Sequence, residues 1–149
     1  MLKALRVPLL WLGVVLVLGS SHFGTNSTGP WIVPALNWLV PWATPRELNG
    51  LHHVVRKLLH LTEYAILARL WLQGILAWRR TTVRTAAWAA LLICVLCAFL
   101  DEAHQSMLPA RTGSVGDVML DCLGALLMLL LLRARYELRE PAPIAVPAD

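Results

Sequence analysis

Two long apolar blocks constrain the fold of this chain more than any other feature of its sequence. Residues 85–101 (TAAWAALLICVLCAFLD) and 115–132 (VGDVMLDCLGALLMLLLL) carry almost no charge away from their ends. Each is close to the roughly 20 residues that an α-helix needs to cross about 30 Å of hydrocarbon. Only 15% of the chain is charged, whereas a soluble domain is about one quarter charged. The sequence therefore predicts an all-α membrane protein.

Two further stretches are close to span length. Residues 4–21 hold one charge near their start and are then continuously apolar, which also fits a cleavable signal peptide. Residues 58–78 are apolar overall but include Arg69 and Gln73. We predict four transmembrane helices, over residues 4–21, 58–78, 85–101 and 115–132.

The segment between the first two spans is predicted to lie in the membrane interface. Its stretch WIVPALNWLVPW (residues 31–42) contains three tryptophans, a residue that prefers the headgroup level. A helix start follows, with Thr44 as the cap, Pro45 at the first helical position and Glu47 three residues after the cap. We expect a helix that begins in the interface and either bends into the second span or continues as that span.

Basic residues predict the orientation of the spans. Eight of them flank one set of ends: Lys3, Arg6, Arg79, Arg80, Arg84, Arg133, Arg135 and Arg139. Four lie on the other side: Arg46, Arg56, Lys57 and Arg111. Both termini are therefore expected in the cytoplasm, and the FLDEAHQ turn that ends the third span is expected to face outward. The membrane domain is predicted over residues 1–139, followed by a disordered Pro/Ala-rich tail at 140–149.

Polar side chains gather at the outer ends of three predicted spans. The cluster comprises His60, Glu63, Tyr64, Asp101, Glu102, His104, Gln105, Arg111, Asp117 and Asp121. Charged groups in a span are costly and tend to face the bundle interior or water. Helical spacing pairs Glu102 with Gln105, which we expect to face inward, and leaves Asp101 and His104 nearer to water. Hydrogen bonding between helices for stability alone needs fewer polar groups than this, so the cluster is a candidate functional site.

Several residues in and near this cluster also have a structural interpretation. Asp117 fits a capping box with Ser114 at the start of the fourth span. Arg111 could neutralise a carboxylate of a neighbouring helix, and Gly124 is interpreted as a close helix contact. Arg69 lies in the middle of a span, where it could extend to the inner surface or pair with a carboxylate.

Several function classes are disfavoured. The letters DEAH occur without the phosphate-binding loop that a nucleotide-driven helicase needs. The basic residues form no stripe with interleaved polar readers, so nucleic acid is not an expected partner. The three cysteines lie in apolar runs and are interpreted as small core residues. No cofactor is predicted, because no HExxH or comparable spacing is present, but the cluster has enough nitrogen and oxygen ligands to keep a divalent metal as an alternative.

The stretches that carry the cluster are similar to those of a known family. RKLLHLTEYAILA (56–68) and DEAHQSMLPARTGSVGDVMLDCLGA (101–125) resemble the VanZ-like family of bacterial membrane proteins. The positions that match are His60, Tyr64, Glu102, Gln105, Arg111, Asp117, Asp121 and Gly124. The family usually has Asn at the position of Asp121. The resemblance implies a place in the bacterial cytoplasmic membrane and a link to resistance to the glycopeptide teicoplanin, and it implies no established reaction.

Three functional hypotheses follow. The first is an envelope protein that binds or alters a wall precursor, a lipid head group or a lipophilic glycopeptide at the outer leaflet through Glu102, Gln105 and Arg111. The second is an intramembrane metal-dependent hydrolase or transferase that acts on a lipid-linked or wall substrate. The third is an accessory or transport subunit, for which four spans are few.

Overall fold

The computed structural model describes residues 2–20, 23–107 and 114–138. These residues form helices and include no strand, so the all-α prediction is confirmed. After a 3-10 helix at Leu2–Leu5, the α-helices are α1 (Arg6–Leu18), α2 (Thr25–Leu39), α3 (Pro45–Trp78), α4 (Val83–Ser106) and α5 (Val115–Glu137). Arg111 and the predicted tail at 140–149 lie outside the described residues.

Two of the described helices, α4 and α5, are long and apolar enough to cross a membrane. They match the predicted third and fourth spans, although α4 continues through Ser106 and not only to residue 101. The FLDEAHQ stretch is therefore the last part of a helix and not a turn. By contrast, α1 has 13 residues and is shorter than the predicted span at 4–21.

The start of α3 is the helix start that the sequence predicts. The Thr44 side chain accepts a hydrogen bond from the Glu47 backbone, and the Glu47 carboxylate accepts one from the Thr44 backbone N–H at 2.7 Å. Pro45 occupies the first helical position. The helix then runs without interruption for 34 residues, or about 51 Å. The interfacial helix and the predicted second span are thus one continuous helix.

The core lies where α3, α4 and α5 pack together. The buried face of α4 is built from small side chains, Ala86, Ala90, Cys94 and Ala98, which allow close approach of the neighbouring helices. Gly124 of α5 does the same against α3, because a Cβ atom there would overlap the backbone carbonyl of Leu61.

The 3-10 helix and α1 pack along α3. A Cβ atom at Gly74 of α3 would lie 3.0 Å from the carbonyl oxygen of Ala4 in the 3-10 helix, so this glycine lets the two backbones approach. Further along, the Trp11 indole N–H donates a hydrogen bond of 3.0 Å to the carbonyl oxygen of Glu63. These contacts hold the 3-10 helix and α1 alongside α3 between Gly74 and Glu63.

The second helix contacts the amino-terminal part of α3 and leaves its tryptophans exposed. Trp31 and Trp38, seven residues apart, are 80% and 83% exposed. Pro30 and Pro34 lie inside this helix, and each removes a backbone N–H that would otherwise donate within the helix. On the α3 side, His52 is buried and its Nε2 lies 3.1 Å from the Thr28 hydroxyl oxygen.

The contact between α2 and α3 is expected to weaken in acid. Burial, and secondarily the nearby Arg56 and His53, lowers the pKa of His52 below its ordinary value of 6.5. A lowered histidine pKa means that the docked state binds fewer protons, so its stability is retained above pH 6.5 and falls as the pH drops below that value. Amide exchange in α2, corrected for intrinsic rates, should be faster at pH 5.5 than at pH 7.5. His52→Gln should abolish this pH dependence, His53→Gln should keep it, and equal protection at both pH values would contradict it.

Candidate functional site

Three helices, α3, α4 and α5, bring polar side chains together at one end of the bundle. Most of the predicted cluster is present there, and its buried members are His60 and Tyr64 of α3, Asp101 and Gln105 of α4, and Asp121 of α5. The residues come from distant parts of the sequence, and their depth is set by the packing of α3, α4 and α5.

The central contact of the site joins α3 to α5. His60 Nδ1 lies 3.2 Å from Asp121 Oδ1, and the two side chains are only 11% and 2% exposed. The Asp101 and Asp117 carboxylates are within electrostatic range of Asp121. A carboxylate at this distance from Nδ1 favours the tautomer that carries a proton on Nδ1, which fixes the orientation of the imidazole ring.

A second buried contact lies within α4 and corrects a sequence-based expectation. Gln105 Nε2 donates a hydrogen bond of 2.8 Å to Asp101 Oδ2, and both residues are buried. Asp101 therefore faces inward, where the sequence suggested that it would lie nearer to water. A Cβ atom at Gly19 would lie 2.7 Å from Asp101 Oδ1 and 3.0 Å from Gln105 Nε2, so the end of α1 covers this pair.

Glu102 holds the start of α5 rather than pointing with Gln105 into the core. It is half-buried, and its carboxylate accepts a hydrogen bond from the Ser114 backbone N–H. The Ser114 side chain makes no capping bond, so the predicted capping box with Asp117 is not formed. The carboxylate that accepts a hydrogen bond at the start of α5 therefore belongs to Glu102 of α4. Asp117 adds a second acidic group within the first turn of α5, where negative charge is favourable.

The remaining predicted residues differ in their surroundings. Tyr64 is fully buried, and its hydroxyl has no hydrogen-bond partner within the part of the chain that is described. Glu63 is half-buried, and His104 is exposed, as expected. Arg111 lies outside the described residues, so its place in the site remains a prediction.

A groove of about 300 Å³ opens beside the buried cluster. The end of α1, Phe23, α2 and α3 all contribute to its walls, through Leu18, Phe23, Thr28, Ile32, Arg56, Leu59, His60 and Glu63. Arg56 Nη1 donates a hydrogen bond of 2.6 Å to the Phe23 carbonyl oxygen, which ties the connection before α2 to α3. The groove therefore combines apolar walls with a cation, a carboxylate and an imidazole.

His60 links the groove to the buried cluster. It lines the groove and contacts Asp121 behind it. A polar group bound in the groove would therefore be within the influence of a histidine that is held in place by a buried carboxylate. The arrangement can donate and accept hydrogen bonds, and it can move a proton at His60.

Sequence reasoning did not place in the site several residues of this region, among them Gly19, Phe23, Thr28 and Arg56. Only Arg56 carried a usable signal, because it lies one helical turn before His60 on the same face. The other three are small or apolar residues before or within α2, and nothing in their local pattern distinguishes them from packing residues.

The described residues do not support a metal centre by their arrangement. No three His, Cys, Asp or Glu side chains within residues 2–20, 23–107 and 114–138 lie close enough together to hold a metal ion. The three cysteines are free, and they lie in the helical core or against it, in agreement with the interpretation from the sequence.

Together, the described residues define an all-helical fold with two helices of membrane-spanning length and a buried polar cluster at one end of the bundle. Residues 7–136 match the VanZ/LLP1 family, and the chain belongs to that family. The family and the two apolar helices together indicate a membrane protein. No curated protein and no solved structure matches the chain.

Proposed function

We propose that this chain is a multi-pass protein of the bacterial cytoplasmic membrane that binds an amphiphile of the cell envelope at its outer face. The ligand would be a lipid head group, a lipid-linked wall precursor or a lipophilic glycopeptide such as teicoplanin. One observation carries the proposal. His60 lies in the wall of a groove with apolar sides, and the buried Asp121 contacts this histidine from the side away from the groove.

The pattern of exposed side chains supports four spans. Leu10 and Val17 of α1, Leu92 and Phe99 of α4, and several leucines of α5 are exposed. Large apolar side chains exposed along three helices are normal against lipid, whereas large apolar patches are rare on a soluble monomer. The 3-10 helix and α1 together rise about 28 Å, close to the thickness of the hydrocarbon core.

The ends of α3 support its assignment as the second span. At its inner end, the Arg79 guanidinium lies 4.5 Å from the centre of the Trp78 ring, a pairing suited to the headgroup level. At its other end, the exposed tryptophans of α2 suit the opposite interface. Together with the distribution of basic residues, this arrangement supports an orientation with both termini in the cytoplasm and the groove at the outer face.

The groove chemistry favours an amphiphile over a purely polar ligand. Leu18, Ile32 and Leu59 provide walls for an acyl chain, whereas Arg56 and Glu63 offer charge of both signs at the same place. A head group with an anionic group and with hydroxyl or amine donors would complement this set.

One observation favours a second candidate, an intramembrane hydrolase or transferase. Asp121 fixes Nδ1 of His60, and a histidine held in this way can serve as a general base through Nε2. Mass spectrometry of the amphiphile after incubation with the purified protein separates the candidates, because binding leaves the mass of the ligand unchanged. The arrangement of the described residues favours a metal-independent form of this chemistry over a metal-dependent one.

Teicoplanin susceptibility of a sensitive Gram-positive host tests the proposal. Wild-type protein should lower susceptibility, and His60→Ala and Glu63→Gln, which change two residues that line the groove, should restore it at matched membrane levels. Loss of one hydrogen bond to a charged group weakens binding by roughly tenfold or more. His104→Ala is the control, because this histidine lies at the same end of the bundle but is exposed. Unchanged susceptibility with wild-type protein, or equal effects of all three variants, would contradict the proposal.

A further inference from the structure

A second groove, of about 270 Å³, opens between α3 and α5 toward the carboxyl ends of both helices. Arg69 and Gln73 of α3 line one side, and Arg135 and Tyr136 of α5 line the other, together with leucines of α5. The groove is separate from the one beside His60, because the two have no lining residue in common.

The charge of this groove is unbalanced. Among the residues that the structure describes, no carboxylate lines it. Neither Arg69 nor Arg135 forms an ion pair among the residues that the structure describes, whereas their neighbour Arg133 is bound to Glu137 at 2.7 Å. Two guanidinium groups that share one groove without an acidic partner favour an anionic occupant.

The position of Arg69 indicates where that anion comes from. The residue lies within the predicted second span, where a charge is costly unless it meets water or an opposite charge. Leu131 and Leu132 line the same groove and offer apolar surface directly beside the two arginines. A free phosphate ion would leave this apolar surface uncovered, whereas a phospholipid would cover it with an acyl chain.

We propose that this groove binds an anionic phospholipid of the inner leaflet. Arg69 and Arg135 hold its phosphate diester, Gln73 and Tyr136 donate hydrogen bonds to the head group, and an acyl chain lies along Leu131 and Leu132. The inference requires that α3 and α5 cross the membrane, and it is independent of the ligand proposed for the outer groove.

Thermal unfolding of the delipidated full-length protein in a neutral detergent tests this site. Phosphatidylglycerol should raise the melting temperature in a saturable way, and phosphatidylcholine should not. Arg69→Gln and Arg135→Gln should each weaken the apparent affinity for phosphatidylglycerol by about tenfold or more. Arg133→Gln is the matched control, because it removes the same charge from the same part of α5 but from outside this groove.

Three other outcomes of this experiment would overturn the proposal. Equal stabilisation by phosphatidylcholine would show that the lipid acts through its chains alone. Equal loss in the Arg133→Gln control would show attraction by the overall charge of this end, and saturation by inorganic phosphate alone would show an ion site without a lipid. Arg135 is exposed, so Arg135→Gln keeps the test open if Arg69→Gln does not fold. Teicoplanin susceptibility is a separate readout, so failure of one proposal is distinguishable from failure of the other.

Discussion

Asp121→Ala is expected to destabilise the protein by about 1–3 kcal/mol, the cost of leaving a buried polar group without its partner. The substitution would leave His60 buried beside the space vacated by a carboxylate that now lies 3.2 Å from its Nδ1. His60→Ala should have a similar cost, because it leaves the Asp121 carboxylate buried without the imidazole. Unfolding of purified protein in mixed micelles with increasing SDS measures both free energies.

Asp121→Asn is the matched variant for this prediction. An asparagine side chain keeps the shape, and its carbonyl oxygen can occupy the position that the carboxylate oxygen holds 3.2 Å from His60 Nδ1, so its cost should be no more than about 1 kcal/mol. The double variant His60→Ala/Asp121→Ala should lose less than the sum of the two single variants, because the pair is removed together. Additive losses would show that the two residues stabilise the fold independently.

Gly124→Ala is expected to destabilise the helix bundle by about 3 kcal/mol, near the upper end of typical overpacking costs. The added methyl group would overlap the backbone carbonyl of Leu61 in α3. Backbone atoms of a helix cannot rotate away as a side chain can, so α3 and α5 must separate. The change would otherwise be favourable, since alanine is a better helix former than glycine by about 1 kcal/mol.

Gly13→Ala provides the control for Gly124→Ala. Gly13 also lies in a helix, but a Cβ atom there would have no heavy atom within 4 Å. Its replacement should leave stability unchanged or raise it by up to about 1 kcal/mol. The same SDS unfolding experiment measures both variants, and similar effects of the two substitutions would contradict a close backbone contact at Gly124.

Asp101 and Glu102 illustrate what spacing in a sequence cannot decide. The two are adjacent, so one of them must turn away from the core, and Gln105 can pair by spacing with either. The structure pairs Gln105 with Asp101, because the end of α1 covers that side of α4. Glu102 instead bonds to the backbone of Ser114. Both choices depend on neighbouring helices, which no local pattern in α4 describes.

For the same reason, the sequence context of Arg69 leaves two interpretations open, extension to the inner surface or an ion pair with a carboxylate. Its neighbours along α3 show only a charge inside an apolar stretch. The structure places it in a groove with Arg135, a residue of another helix. Arg69 and Arg135 are far apart in the sequence and belong to different helices. Whether they line one groove therefore depends on how the helices pack.

The sequence by itself determined the helical class, the locations of α4 and α5, the helix start at Thr44 and the family of the chain. Each of these depends on residues within a few positions of one another, through apolar periodicity, capping and short motifs. Tertiary structure alone decided that His60 meets Asp121, that Gly19 covers Asp101, and that two grooves form along α3. The reason is physical: these contacts join separate helices, and their geometry is set by the close packing of small residues such as Gly124 and Ala90.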